Sequence, residues 1–307
     1  MKISDPFDQN ANKFRSSQLW KSLNEDLFNY TNELDLSDFR SSEKQINARL
    51  ASWAPYDATQ RYYKNILFNL ATSMPEKFFY YYQKLGNSNL GLPINVKVNN
   101  MEINLDYLFS IQEIIFLESI LPFSDRIVEI GAGFGRTVHA ILNNFNSVKS
   151  YTIIDLEPML KLSSRYLKEV LSSSDYSKIV FIKAKDAEKV AKIDLAINID
   201  SIAEMEPEVC LNYLNLINTH ARYFYIRNPI CKYTPESIGI KNIPQIRFDT
   251  VANLGLCRKV IDIFDEESLS LYRKEYEKIY LPGPLWTLFK SEVSYPWQYY
   301  QHALYKK

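Results

Sequence analysis

The stretch Ile127-Val128-Glu129-Ile130-Gly131-Ala132-Gly133-Phe134-Gly135-Arg136 holds three of the chain's eight glycines within five residues. A short apolar strand runs into a bend of alternating glycines, and a helix-forming segment follows. A backbone stripped of side chains can press against a ligand, and the first turn of the next helix presents unpaired N–H groups. The carboxylate of Glu129 then biases the choice of ligand. A phosphate would avoid it, whereas the cationic end of an amino-acid group would suit it.

C-terminal to this bend, short apolar runs alternate with amphipathic stretches. Strands are expected at 127–130, 151–154, 179–182, 193–199 and 223–226, with helices at 137–145, 160–171 and 207–218. Continuous apolar strands separated by helices indicate a parallel sheet covered on both faces. Ligands in such sheets bind at the carboxyl ends of the strands, near the switch in strand order. Beyond Asn228 the pattern weakens: 259–264 reads as strand or loop, 266–280 as a helix and 299–306 as a closing strand. On the N-terminal side a helix is expected at 105–120, preceded by a loop at 87–93 and a polar segment with room for a short hairpin. Residues 9–85 read as helical, from Leu19, Leu23, Leu27 and Tyr30, then Ile46, Leu50 and Trp53. Pro75 starts a new helix within the amphipathic run 62–85.

Composition narrows the function classes. The chain has 307 residues, with Lys+Arg and Asp+Glu balanced at 36 each, so no global field gathers nucleic acid or anionic lipid. The polar N-terminus lacks the apolar core of a signal peptide. The longest apolar run, 105–123, is interrupted by Asp106, Gln112, Glu113 and Glu118, which speaks against a membrane span. Cys210, Cys231 and Cys257 lack paired metal-binding spacing and read as thiols in a reducing cytoplasm. The 22 Tyr and 17 Phe include Phe78-Phe79-Tyr80-Tyr81-Tyr82 and a C-terminal group from Tyr295 to Tyr305. They suit either stacking on sugar rings or interface core.

A dinucleotide-binding turn wants a small residue where this chain has Arg136. The order carboxylate-x-Gly-x-Gly-x-Gly instead resembles the first motif of class I S-adenosylmethionine (SAM) methyltransferases. Further positions agree. Asp155 ends the second strand, where that family places an acid on both ribose hydroxyls; Asp186 follows the third, where an Asp accepts from the adenine amino group; Asn198 and Asp200 end the fourth. The segments 129–136, 154–158 and 198–205 are similar to a bacterial group of sugar O-methyltransferases. The likeness covers roughly 105–230. It implies a Rossmann-like α/β fold, a mostly parallel sheet with an antiparallel closing strand, in a methyltransferase domain at 105–307. A mainly helical region, 1–104, would then serve as a lid, substrate-facing or dimerisation element. The implied cofactor is SAM, giving S-adenosylhomocysteine, held by Glu129, Gly131, Ala132, Gly133, Gly135, Asp155, Leu156, Asp186, Ala187 and Asn198. The implied substrate is a sugar or glycan hydroxyl, as in surface-polysaccharide synthesis.

A hydroxyl is a poor nucleophile until a base takes its proton. Asp200 and Glu204 follow the fourth strand and are the first candidates. Four residues apart, they would share a face of a helical turn and could also hold a divalent metal. The plainer reading makes Asp200 a helix cap and Glu204 a solvated first-turn acid. Arg227, Asn228 and His302 are candidates for holding substrate, while His139 reads as a packed residue and Arg136 as a helix-start residue. Other readings stay open at single positions: Glu129 as a helix cap, and Asp155 and Asp186 as loop residues. Competing functions are methylation of another small hydroxyl or amine metabolite, and a catalytically silent SAM-binding interaction module. Nucleic-acid methylation is disfavoured because the fourth strand ends Asn-Ile-Asp-Ser, without the motif used on flipped bases.

Overall fold

The computed structural model describes residues 60–238 and 245–307, together with 14, 15, 17, 18 and 35–37. The helical expectations at Leu19 to Tyr30 and Ile46 to Trp53 lie outside the described residues. Two helices open the described body, α1 (Gln60–Thr72) and α2 (Glu76–Tyr82), with Pro75 as the N-cap of the second. A hairpin of β1 (Asn95–Val98) and β2 (Met101–Asn104) follows; both residues of its tight turn, Asn99 and Asn100, have positive φ, a conformation asparagine tolerates.

The next helix, α3 (Leu105–Leu117), is capped by the Asn104 side chain, which accepts from the Tyr107 N–H. Leu108, Ile111, Ile114 and Leu117 are all fully buried, and Asp106 and Glu113 are carried inside with them. A helix apolar on nearly all sides belongs in the interior. The alternation then begins: β3 (Arg126–Ile130), α4 (Arg136–Asn144), β4 (Ser150–Asp155), α5 (Glu157–Val170), a short α6 (Ser173–Tyr176) and β5 (Ile179–Lys183). After these come β6 (Ile193–Ile199), α7 (Pro207–His220), β7 (Ala221–Pro229), α8 (Gln245–Ala252), α9 (Glu266–Ile279), β8 (Thr287–Val293) and β9 (Tyr300–Lys306).

The sheet runs β5-β4-β3-β6-β7-β9-β8. β3 pairs in parallel with β4 and β6, β4 with β5, and β6 with β7, whereas β9 is antiparallel to β7 and to β8. This is the expected α/β class, with its mostly parallel sheet and antiparallel closing strand. Chain order reverses between β4 and β6 on either side of β3, so the switch point lies where β3 and β6 end together, Ile130 beside Asn198. One apolar cluster joins α3, α4, α5 and the 60–104 elements to one face; the other joins α7 and α9 to the opposite face.

One departure from the sequence reading has a physical cause. β8 was not expected, because an edge strand with an irregularity between Leu288 and Lys290 and exposed Leu288 and Phe289 shows neither alternation nor an apolar run. Residues 259–264 make only an isolated bridge, Val260 with Lys232. The aromatic groups mostly enter the core: Phe78, Tyr82, Tyr299 and Tyr300 are buried, while Tyr80 and Tyr295 are exposed. No helix among the described residues is long and apolar enough to cross a membrane.

Candidate functional site

All three glycines of the bend adopt left-handed φ: +77° at Gly131, +58° at Gly133 and +98° at Gly135. That region is costly for residues with a Cβ. Their surroundings differ. A Cβ on Gly131 would lie 2.1 Å from Ser201 Oγ, and one on Gly135 would lie 2.9 Å from a methyl of Leu167 on α5. A Cβ on Gly133 would meet nothing within 4 Å. Gly131 and Gly135 are therefore bare to admit the protein itself, and Gly133 alone borders open space.

Asp155 lies against this open segment. Its carboxylate accepts from the Gly133 N–H (3.1 Å) and the Leu156 N–H (2.7 Å). Enclosure pushes Asp155 up to about 7, against the opposing pull of the Leu156, Gly133 and Ala132 N–H groups. A carboxylate has about four lone-pair sites, so beside these N–H groups acceptor capacity for a ribose hydroxyl remains. Ala132 is buried and Leu156 half-buried beside it. Glu129 sits below the bend, 2% exposed, and accepts from the Tyr151 hydroxyl at 2.7 Å. Burial raises Glu129 to about 7, opposed by the Tyr151 hydrogen bond and the Arg136 charge. Asp186 sits half-exposed in the 3-10 segment Ala184–Lys189, paired with Lys189 at 2.8 Å, and the pairing lowers its pKa; Ala187 is fully buried.

The neighbouring lip is formed by the ends of β6 and β7. Asn198 is fully buried and staples three segments: its Nδ2 donates to Ile130 O (2.9 Å), and its Oδ1 accepts from Ile202 N–H (3.2 Å) and Asn228 Nδ2 (3.1 Å). Asp200 adopts φ +62°, ψ −30°, an uncommon conformation for a non-glycine residue. It precedes a 3-10 turn, Ser201–Glu204, yet its side chain makes no capping hydrogen bond. The carboxylate instead faces Arg227 Nη1 at 3.4 Å. In a 3-10 turn residues three apart eclipse, so Asp200 and Glu204 do not share a face as an α-helical turn would have placed them.

Three candidates for holding substrate are turned inward. Arg227, Asn228 and His302 are 2%, 0% and 5% exposed. The ring of His302 stacks on Phe116 and its Nδ1 pairs with the Tyr225 hydroxyl at 2.7 Å, while burial drives its pKa well below the ordinary histidine value. The Asn228 side chain donates to Asn198 and accepts from no donor among the described residues, and its N–H donates to the Tyr276 hydroxyl. The Asn228 side-chain oxygen is buried as well. His139 packs in α4 as expected, hydrogen-bonded to Tyr107, whose hydroxyl also meets that of Tyr166.

Sequence reasoning missed the residue that organises the interior. Glu113, fully buried in α3, takes a two-pronged hydrogen bond from Arg136 (2.9 and 3.0 Å), which also reaches Ser110. Burial works against the Arg136 charge, but the charge and hydrogen bonds of Glu113 outweigh it and hold Arg136 firmly protonated. The available signal was Glu113 itself, an acid inside an otherwise apolar helix, which needs a buried cation. No group of three or more His, Cys, Asp or Glu suited to a metal ion occurs among the described residues. A cavity of about 410 Å³ opens near Ile230, Leu256, Cys257 and Tyr272, and no residue of the glycine bend lines it.

No family model matches the chain, and no curated protein matches it. Solved structures with a similar architecture include the methyltransferase domain of bacterial CtHen1, 12% identical with TM-score 0.45, covering 66% of this chain and 100% of that domain. A candidate O-methyltransferase from Nostoc punctiforme PCC 73102 is 12% identical with TM-score 0.40, covering 82% of this chain and 71% of its own. An O-methyltransferase family 2 protein from Planctomyces limnophilus DSM 3776, solved with apigenin, is 10% identical with TM-score 0.38, covering 59% and 49%. These neighbours are described as methyltransferases.

Proposed function

We propose that the chain transfers a methyl group from S-adenosylmethionine to a hydroxyl of a sugar or glycan. The observation that carries this reading is the meeting of Gly133 and Asp155: bare backbone bordering open space, with its N–H on a carboxylate that retains acceptor capacity. A pyrophosphate would not favour the Glu129 carboxyl beneath the bend. In this reading Ala132 and Gly133 border the methionyl part, Gly131 and Gly135 set the bend that presents them, and Glu129 lies beneath. Asp155 and Leu156 hold the ribose, Asp186 and Ala187 the adenine, and Asn198 braces the floor. Bound there, the cofactor supplies a methyl group on a sulfonium, open to in-line displacement.

The chain's own part is to place the acceptor hydroxyl and take its proton. Asp200 stands at the adjoining strand end with its side chain 45% exposed, within reach of an incoming hydroxyl. Glu204, one short turn on, is a second acid for the same work. A positioned carboxylate contributes roughly a hundred- to ten-thousand-fold in such a transfer. The sugar acceptor follows from the resemblance of segments 129–136, 154–158 and 198–205, and the N-terminal region is assigned to closing the cofactor mouth. Phe14 packs on Tyr213 and Arg15 pairs with Glu208, both on α7.

The test is transfer of isotopic label from the cofactor to saccharide acceptors and to amines, by wild type, Asp200→Asn and Glu204→Gln. Label should appear as a methyl ether on saccharide, and Asp200→Asn should lower turnover by about a hundredfold or more with cofactor affinity kept. Transfer to amines alone would overturn the acceptor class, and undiminished turnover in both variants would remove these acids from the chemistry.

A further inference from the structure

Asp200 does not stand alone at the lip. Arg227, near the end of β7, grips it twice: the Arg227 carbonyl accepts the Asp200 N–H at 3.0 Å, and Nη1 lies 3.4 Å from Oδ2. The backbone contact pins a residue whose φ is +62°. Holding a non-glycine residue there costs free energy, which surrounding structure must offset. Arg227 is itself immobilised. Its Nε donates to Ser294 Oγ at 2.7 Å, and its guanidinium lies over the rings of Phe109 (4.5 Å) and Tyr300 (4.9 Å). Glu113, held by Arg136, lies 4.0 Å from Nε.

Charge therefore alternates from the helix after the glycine bend to the lip: Arg136, Glu113, Arg227, Asp200. The first three side chains are 11%, 1% and 2% exposed, and Asp200 is 45% exposed. The network has its outlet at Asp200. With Oδ2 directed at Arg227, the other oxygen, Oδ1, is buried and has no hydrogen-bond partner among the described residues.

We propose that Arg227 is a positioning residue that fixes the Asp200 carboxylate at the lip, with its exposed edge toward the acceptor hydroxyl. The assignment rests on the role given to Asp200 above. Arg227 itself touches no substrate, since its side chain is 2% exposed. It removes rotamer freedom from a half-exposed acid and so fixes the direction from which the carboxylate takes the proton. Misplacing a reacting group by about 1 Å can cost a hundredfold in rate.

The experiment compares the full chain as wild type, Arg227→Gln, Arg227→Lys, Asp200→Asn and the Arg227→Gln/Asp200→Asn double variant. The readouts are kcat, acceptor KM and calorimetric cofactor affinity. Arg227→Gln should lower kcat about ten- to a hundredfold, with acceptor KM and cofactor affinity little changed. Arg227→Lys, which keeps the charge but not the fork, should recover part of the loss. In the Asp200→Asn background the Arg227→Gln change should have no further effect, because the group it positions is gone. An equal loss in both backgrounds, or a loss confined to KM or to cofactor affinity, would overturn the proposal. Full activity of Asp200→Asn alone would instead sink the role of Asp200. Where Arg227→Gln fails to fold, Arg227→Lys paired with Asp200→Asn makes the same comparison.

Discussion

The glycine bend and the lip where β6 and β7 end lie side by side at the switch point of the sheet, yet they are built in opposite ways. The bend is local: residues 131–135 make their shape from three positive φ angles, and its carboxylate partner comes from the adjacent strand. The lip is assembled: Asp200 depends on Arg227 from β7, Ser294 beyond β8, Phe109 and Glu113 from α3, and Tyr300 from β9. A local device is set first by backbone conformation. An assembled one places a single acid with the help of partners nearly two hundred residues apart in sequence.

The largest effect expected within the bend distinguishes its glycines from one another. Gly131→Ala combines a positive φ with a Cβ 2.1 Å from Ser201 Oγ. It should destabilise the fold by about 2–5 kcal/mol, measured by denaturant unfolding. Gly133→Ala meets only open space and should cost about 1–2 kcal/mol while still weakening cofactor binding. Equal destabilisation by the two would break the distinction between a glycine that admits protein and one that admits ligand.

How far each region was legible follows from this contrast. The bend, Asp155 and the five parallel strands were readable because their signals sit in neighbouring residues: apolar runs ending in a polar group, glycines in alternation. The inward orientation of Asn228 and His302 was not, since a polar residue at a strand end reads the same whether its partner is substrate or a buried hydroxyl such as that of Tyr276 or Tyr225. Asp200 was readable as a candidate, but its grip by Arg227 was hidden, because the ring faces of Phe109 and Tyr300 that accommodate the guanidinium have no spacing in sequence. β8 escaped because an edge strand has one free side and need not be uniformly apolar.

A smaller effect probes the acid beneath the bend. Burial raises Glu129 to about 7, so the folded chain binds that proton more tightly than the unfolded chain. The resulting penalty is absent below about pH 4 and complete above about pH 7. Glu129→Gln keeps an acceptor for Tyr151 and should therefore stabilise by about 2–3 kcal/mol at pH 8 and by little at pH 4, relative to wild type at each pH. A pH-independent difference would show that Glu129 is not enclosed as described.

The most direct measurement is calorimetric titration of wild type and Asp155→Ala with S-adenosylmethionine, S-adenosylhomocysteine and NAD. Wild type should bind the first two and not the third, and Asp155→Ala should weaken both by at least about tenfold, or about 1.4 kcal/mol. Tight binding of NAD, or affinity for S-adenosylmethionine unaltered by Asp155→Ala, would contradict the account.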